Sequence, residues 1–250
     1  MTDAMKFEFL LRLGDNALVL AQRLSEWVGK GPVIEEDIAL TNVGLDLIGQ
    51  ARMWLSYAGE IEGRGRDEDA LAFRRDAHEF RNALLCEQPN GDYAETMARQ
   101  FLFDHWHALA LAALEDSRDE RVAAIAAKAS KEVAYHVERS TDWVIRLGDG
   151  TDESHRRVQA AVDYLLSFTA EFWAASALDA QAAQAGVDVP ALRADWDRAV
   201  DAALQEATLA RPPAVDGWVP QGKQGVHSEH LSYLLGEMQS LARAHPGATW

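Results

Sequence analysis

The stretch "ASKEVAYHVERS" (129–140) decides how the chain is read. It is helical in composition and sits near the middle of a long apolar-periodic segment. Four-helix proteins that bind two irons place Glu-x-x-His at such a point, because residues three apart share a helix face and reach the same ion. Here Glu132 is followed three residues on by Tyr135, and the histidine arrives one place late, as His136. A neutral phenol is a poor replacement for imidazole as an iron ligand.

The same test applied along the chain finds no strict Glu-x-x-His. A second long helix, expected from about 35 to 58, carries Asp46-Leu47-Ile48-Gly49 at mid-height, followed by Gln50. Gly49 offers no ligand atom. The first helix, expected over 5–29, has Asp15, Asn16 and Gln22 near its middle, with Glu8 and Glu26 towards its ends. A helix over 93–115 offers Asp104 on the apolar line Met97, Phe101, Asp104, Ala108, Leu111. The vestigial iron position is thus Asp46, Gly49, Gln50, Asp104, Glu132, Tyr135 and His136, with Asp46, Asp104, Glu132 and His136 expected to pair as a metal-free polar network. A catalytic di-iron site using those four as unusual ligands is the alternative. A free-standing helical scaffold is a third reading.

Working outward, hydrophobic residues recur at three and four positions, and strand-like alternation is missing from the sequence. Phe7, Leu11, Leu18, Ala21 and Val28 are expected to face inward from the first helix. The middle of the second, "VGLDLIGQARMWL", is apolar almost all round, which predicts a buried helix. A short helical segment is expected at 68–86, then helices at 93–115, 119–147, 153–185, 190–209 and 228–244. Asp92 caps the third long helix after the turn "EQPNGDY" (87–93). The expected architecture is an all-α, ferritin-like four-helix bundle with extra C-terminal helices, one domain over 1–250 with a Pro/Gly-rich extended arm at 210–225.

Composition narrows the function classes. The chain of 250 residues has a formal net charge of −16, which disfavours nucleic acid as a partner. Cys86 is the only cysteine, so no disulfide can form within the chain, as suits a reducing cytoplasm. No charge-free apolar run approaches the roughly 20 residues needed to cross a bilayer, so no membrane role is expected. Asp104-x-x-His107 has ligand spacing, but its aspartate, beside aromatic residues, reads as a satisfied core polar group; Asp152-x-x-His155 reads as helix capping, and "HSEH" (227–230) as the start of the last helix. Cys86 reads as packing. Trp218, on the arm, suggests a partner's groove.

Five strings then carry a resemblance over nearly the whole chain: "LRLGDNALVLAQRLSEW" (11–27), "NVGLDLIGQAR" (42–52), "EQPNGDYAETMARQFLFDHWH" (87–107), "RLGDGTDES" (146–154) and "GVHSEHLSYLLGEMQ" (225–239), with the ending "PGATW" (246–250). They resemble the PaaC-type structural subunit family of the multicomponent phenylacetyl-CoA epoxidase (phenylacetate-CoA oxygenase). That resemblance implies a ferritin-like, non-catalytic subunit of aerobic phenylacetate catabolism that holds no cofactor of its own. It implies pairing with a homologous di-iron catalytic subunit, a small accessory subunit and an NADPH-dependent FAD and iron–sulfur reductase. It also implies that phenylacetyl-CoA passes near the subunit interface, with "EFRN" (Glu79, Phe80, Arg81, Asn82) and Ala180, Gln181, Ala182 as candidate contacts.

Overall fold

The computed structural model describes residues 1–184, 188–213 and 217–248. Positions 214–216 of the expected arm, Ala185 and the last two residues of "PGATW" lie outside the described residues. Among the described residues eleven α-helices run in chain order: α1 Asp3–Ser25, α2 Ile34–Glu62, α3 Glu68–Phe73, α4 Leu84–Glu87, α5 Tyr93–Glu115, α6 Glu120–Gly148, α7 Asp152–Leu165, α8 Ala170–Trp173, α9 Ala177–Gln184, α10 Arg193–Glu206 and α11 Glu229–Ala244. The same residues contain no strand, and the fold is all-α and ferritin-like.

The chain gathers into two compact units. One is Met1–Pro89 with Gln221–Trp250, and the other is Asn90–Pro220. In the first, α1 and α2 pack along their lengths as a helical hairpin. Leu10, Leu18, Leu20 and Leu24 of α1 meet a core completed by Leu40, Leu47, Trp54 and Leu55 of α2. Gly14 permits the close approach, since a Cβ there would fall 2.7 Å from Leu55 Cδ2. Helix α11 returns to this unit and packs on α1, α3 and α4.

In the second unit α5 and α6 form the main hairpin, with α7 and α10 against it. Helix α5 starts where expected because Asp92 and Glu95 form a capping box: the Asp92 carboxylate accepts from Ala94 N at 2.8 Å and Glu95 N at 3.1 Å. Buried Trp196 of α10 donates its indole N–H to the Leu102 carbonyl at 3.2 Å.

Four expectations need correcting. Val28 is 57% exposed, because α1 ends at Ser25 and the chain turns before it. The middle of α2 is not buried all round: Leu45 and Ile48 are exposed. The segment 68–86 is not one helix but α3, a 3₁₀ turn at Ala77–Glu79 and α4. The expected helix over 153–185 is broken into α7, a 3₁₀ turn, α8 and α9.

Candidate functional site

On α5, Met97, Gln100, Asp104, His107 and Leu111 recur at three- and four-residue steps and are all buried. On α6 the buried line is Ala129, Val133, His136, Ser140 and Val144. These two faces give the second unit a polar interior. Burial raises the Asp104 carboxyl to about 6, opposed by the His136 charge and a hydrogen bond from Ser140. Burial lowers His107 to about 3, and the neighbouring His136 pushes the same way. Burial also lowers His105 to about 4; its Nε2 lies 3.0 Å from Thr141 Oγ1.

Asp104, expected to be a satisfied core polar group, is buried and accepts a hydrogen bond from Ser140 through one oxygen. Asp104 Oδ1, His107 Nδ1 and both amide atoms of Gln100 make no hydrogen bond among the described residues. Gln100 and His107 were not singled out as site residues by the sequence. The line Met97, Gln100, Asp104, His107, Leu111 carries three polar residues, so apolar spacing favours the neighbouring line through Phe101 and Ala108.

Asp46, Gln50 and Gly49 belong to α2 of the first unit, and Glu132 and Tyr135 to α6 of the second. An α-helix advances about 100° per residue, so Gly49 stands nearly opposite Leu47, which faces the α1 side. Gly49 is exposed, and a Cβ there would meet nothing within 4 Å. Tyr135 is 50% exposed, a third of a turn from buried His136. Asp46 and Glu132 are half-buried, while Gln50 is fully buried. The glycine and tyrosine therefore sit on outer faces, and the interior nitrogen comes from His107 and His136 instead. Among the described residues no three of His, Cys, Asp and Glu come together in a way that would hold a metal ion.

The candidate contact stretch 79–82 lies in the first unit, and 180–182 lies in the second. The Glu79 side chain accepts from Asp76 N at 2.8 Å and caps the 3₁₀ turn. Phe80 and Asn82 are fully buried, and Asn82 Nδ2 donates to Glu87 Oε2 at 3.0 Å. Arg81 remains near the surface, paired to Glu8 at 2.7 Å. It borders a cleft of about 530 Å³ lined also by Arg64, Arg66, Arg75, Glu8 and Glu62. On α9, Ala180 is exposed, Gln181 half-buried and Ala182 buried.

Cys86 is buried against Asn16. His155 Nδ1 lies 2.8 Å from the Gly148 carbonyl oxygen, and Thr151 caps α7. His227 Nδ1 lies 2.8 Å from Glu87 Oε2. Trp218, 41% exposed, meets Phe168 edge-on at 5.3 Å. No helix among the described residues is long and apolar enough to cross a membrane.

Compared with known proteins, the chain matches the family described as "Phenylacetic acid catabolic protein" (PaaA_PaaC) over residues 1–250. It is 50% identical over 244 residues to a subunit of the 1,2-phenylacetyl-CoA epoxidase of Escherichia coli (strain K12), a match that covers 97% of this chain and 98% of that protein.

Proposed function

The chain belongs to the phenylacetic acid catabolic protein family, and from that premise we propose that it is the non-catalytic structural subunit of a multicomponent 1,2-phenylacetyl-CoA epoxidase. In this reading it acts in the cytoplasm, binding and stabilising a homologous di-iron catalytic subunit. The assembly also includes a small accessory subunit, and an NADPH-dependent flavin and iron–sulfur reductase supplies electrons. The observation that carries the reading is the donor set: Asp104, His107 and His136 face inward but form no metal-holding group among the described residues. Iron pairs need several carboxylate oxygens to offset their charge. The alternative, a catalytic site from Asp46, Asp104, Glu132 and His136, has two of its four members only half-buried.

Iron quantitation on each separated chain, after iron loading of the co-purified complex, tests the reading. The expected result is iron in the catalytic subunit alone. Two tightly held irons in this chain would overturn it.

The cleft beside Arg81 is our proposed contact for the phosphate end of the CoA ester. What supports it is that Arg64, Arg66, Arg75 and Arg81 line one cleft, where they are paired with carboxylates that a phosphate could displace. Glu79, Phe80 and Asn82 then act by fixing the Arg81 backbone rather than by touching ligand. Ala180 is the exposed member of the second stretch and Gln181 is half-buried, while Ala182 supports them from beneath. Arg81→Ala in the assembled complex should raise KM for phenylacetyl-CoA several-fold at unchanged kcat. An unchanged KM would remove the assignment.

A further inference from the structure

The outer face of α2 is apolar in a chain whose surface is otherwise heavily charged. Ile34, Ile38, Leu45 and Ile48 are all exposed, at 38–71% of their surface, and Val28 and Val33, just before the helix, are exposed too. The exposed positions Glu35, Ile38, Asn42, Leu45, Gly49 and Arg52 step by three and four residues, the spacing of a helix-on-helix seam. From Ile38 to Gly49 no fully exposed position is charged. The apolar run from Ile34 to Ile48 is about 21 Å long at 1.5 Å per residue. Gly49 sits on this seam with open space around its Cα, which lets a second helix come close.

We propose that this seam is the docking face for the homologous catalytic-type subunit of the same family; the inference rests on the subunit reading above. Charge selects that occupant over a second copy. Two copies would bring together net charges of −16 each. At the edge of the seam the exposed Glu35 favours a basic residue opposite it, and the nearby Arg52 already pairs with Glu68 at 3.1 Å within the chain. The partner therefore presents an apolar helical seam with a basic flank. The residue that a dismantled iron site would count as missing, Gly49, acquires a positive use: a histidine there would stand in the partner's way.

The experiment co-expresses the chain with the homologous catalytic subunit and measures affinity by titration calorimetry. Leu45→Glu and Gly49→Leu should each weaken the complex roughly 30-fold or more, as the loss of a central contact does, with thermal unfolding of the isolated chain little changed. Tyr233→Glu, at an exposed site on α11, should bind as the parent does. Parent-like affinity of both seam variants would overturn the docking face while leaving the subunit reading standing. Self-association of the isolated chain that Leu45→Glu abolishes would assign the seam to a second copy and overturn the proposal. If the parent chain fails to bind the catalytic subunit at all, both readings fall together.

Discussion

Asp104, His105 and His107 lie within four residues of one another, yet their burial pulls stability in opposite directions. The two imidazoles titrate at about 4 and about 3 in the fold and near 6.5 when unfolded. Between those values the unfolded chain binds protons that the fold refuses, so stability falls as pH drops. Asp104 holds its proton up to about 6 in the fold but releases it near 3.9 when unfolded, so its contribution falls as pH rises through that window. Around pH 5 two histidines oppose one carboxyl. From these three groups stability should fall by about 1.4 kcal/mol for each unit of acidification. Asp104→Asn should steepen that slope to about 2.7 kcal/mol per unit, read from urea midpoints between about pH 4.5 and 5.5. An unchanged slope would mean that Asp104 is already ionised there. Asp15 makes a different case. The sequence offered it as a polar group at ligand depth, but it forms a buried ion pair with Arg75 and accepts from Arg81 N at 2.8 Å. Asp15→Leu strands that guanidinium and should cost about 3–5 kcal/mol in the same assay. Nothing in the local sequence marks Asp15 as an ion-pair member, because its partner lies 60 residues away.

At the level of helices, the long ones were legible and the short breaks were not. Apolar spacing and the Asp92 cap after its turn placed α5 to the residue. The two merged helices were each broken by a restart signal that apolar periodicity overlooks. Asp76 and Glu79 form a capping box that starts a new turn. Ser176 and Asp179 do the same reciprocally before α9, with Ser176 N donating to Asp179 Oδ2 at 2.8 Å and Asp179 N donating to Ser176 Oγ at 3.3 Å. Both read as polar-x-x-acid in the sequence, the pattern that announces a helix start. The orientation of α2 was lost for a related reason: a helix apolar on both faces gives periodicity no phase, so Gly49 and Asp46 could not be placed. The solvent side of α2 makes its own prediction. Gly49→Ala should stabilise the isolated chain by roughly 0.5–1 kcal/mol, since glycine is a poor interior helix residue and the new methyl meets nothing. Gly236→Ala in α11, equally open, should gain a similar amount. Thermal midpoints check both, and a loss at position 49 alone would show that α2 is covered within the chain.

For the whole molecule, sequence separation decides what the eye could not follow. The first unit is closed by residues far downstream of those they meet, as with Ser228 and Glu87, which are 141 positions apart. Glu87, fully buried, accepts from Ser228 N and Ser228 Oγ, each at 2.7 Å, and from Asn82 at 3.0 Å. Gln239 donates to the carbonyls of Ala72 and Arg75 at 2.9 and 3.0 Å, and Arg243 adds a bond to the Arg75 carbonyl at 2.8 Å. Reading "HSEH" as a helix start was right about its form, but no pattern in it names Glu87 as the carboxylate it serves. Ending the chain at Pro220 would strip the Glu87 carboxylate of its partners on Ser228 and His227, remove the bonds from Gln239 and Arg243 to the Ala72 and Arg75 carbonyls, and uncover the apolar surface under α11. Amide hydrogen exchange on that truncated chain should therefore find α3, α4 and the segment between them unprotected, while α5 and α6 keep their protection. The milder Glu87→Gln keeps the shape but exchanges one accepting oxygen for an N–H donor that faces donors, so about 1.5–3 kcal/mol should be lost, with protection retained throughout. Full protection over 68–88 in the truncated chain would mean that α1 and α2 alone hold that segment and that the returning C-terminal helix is a passenger.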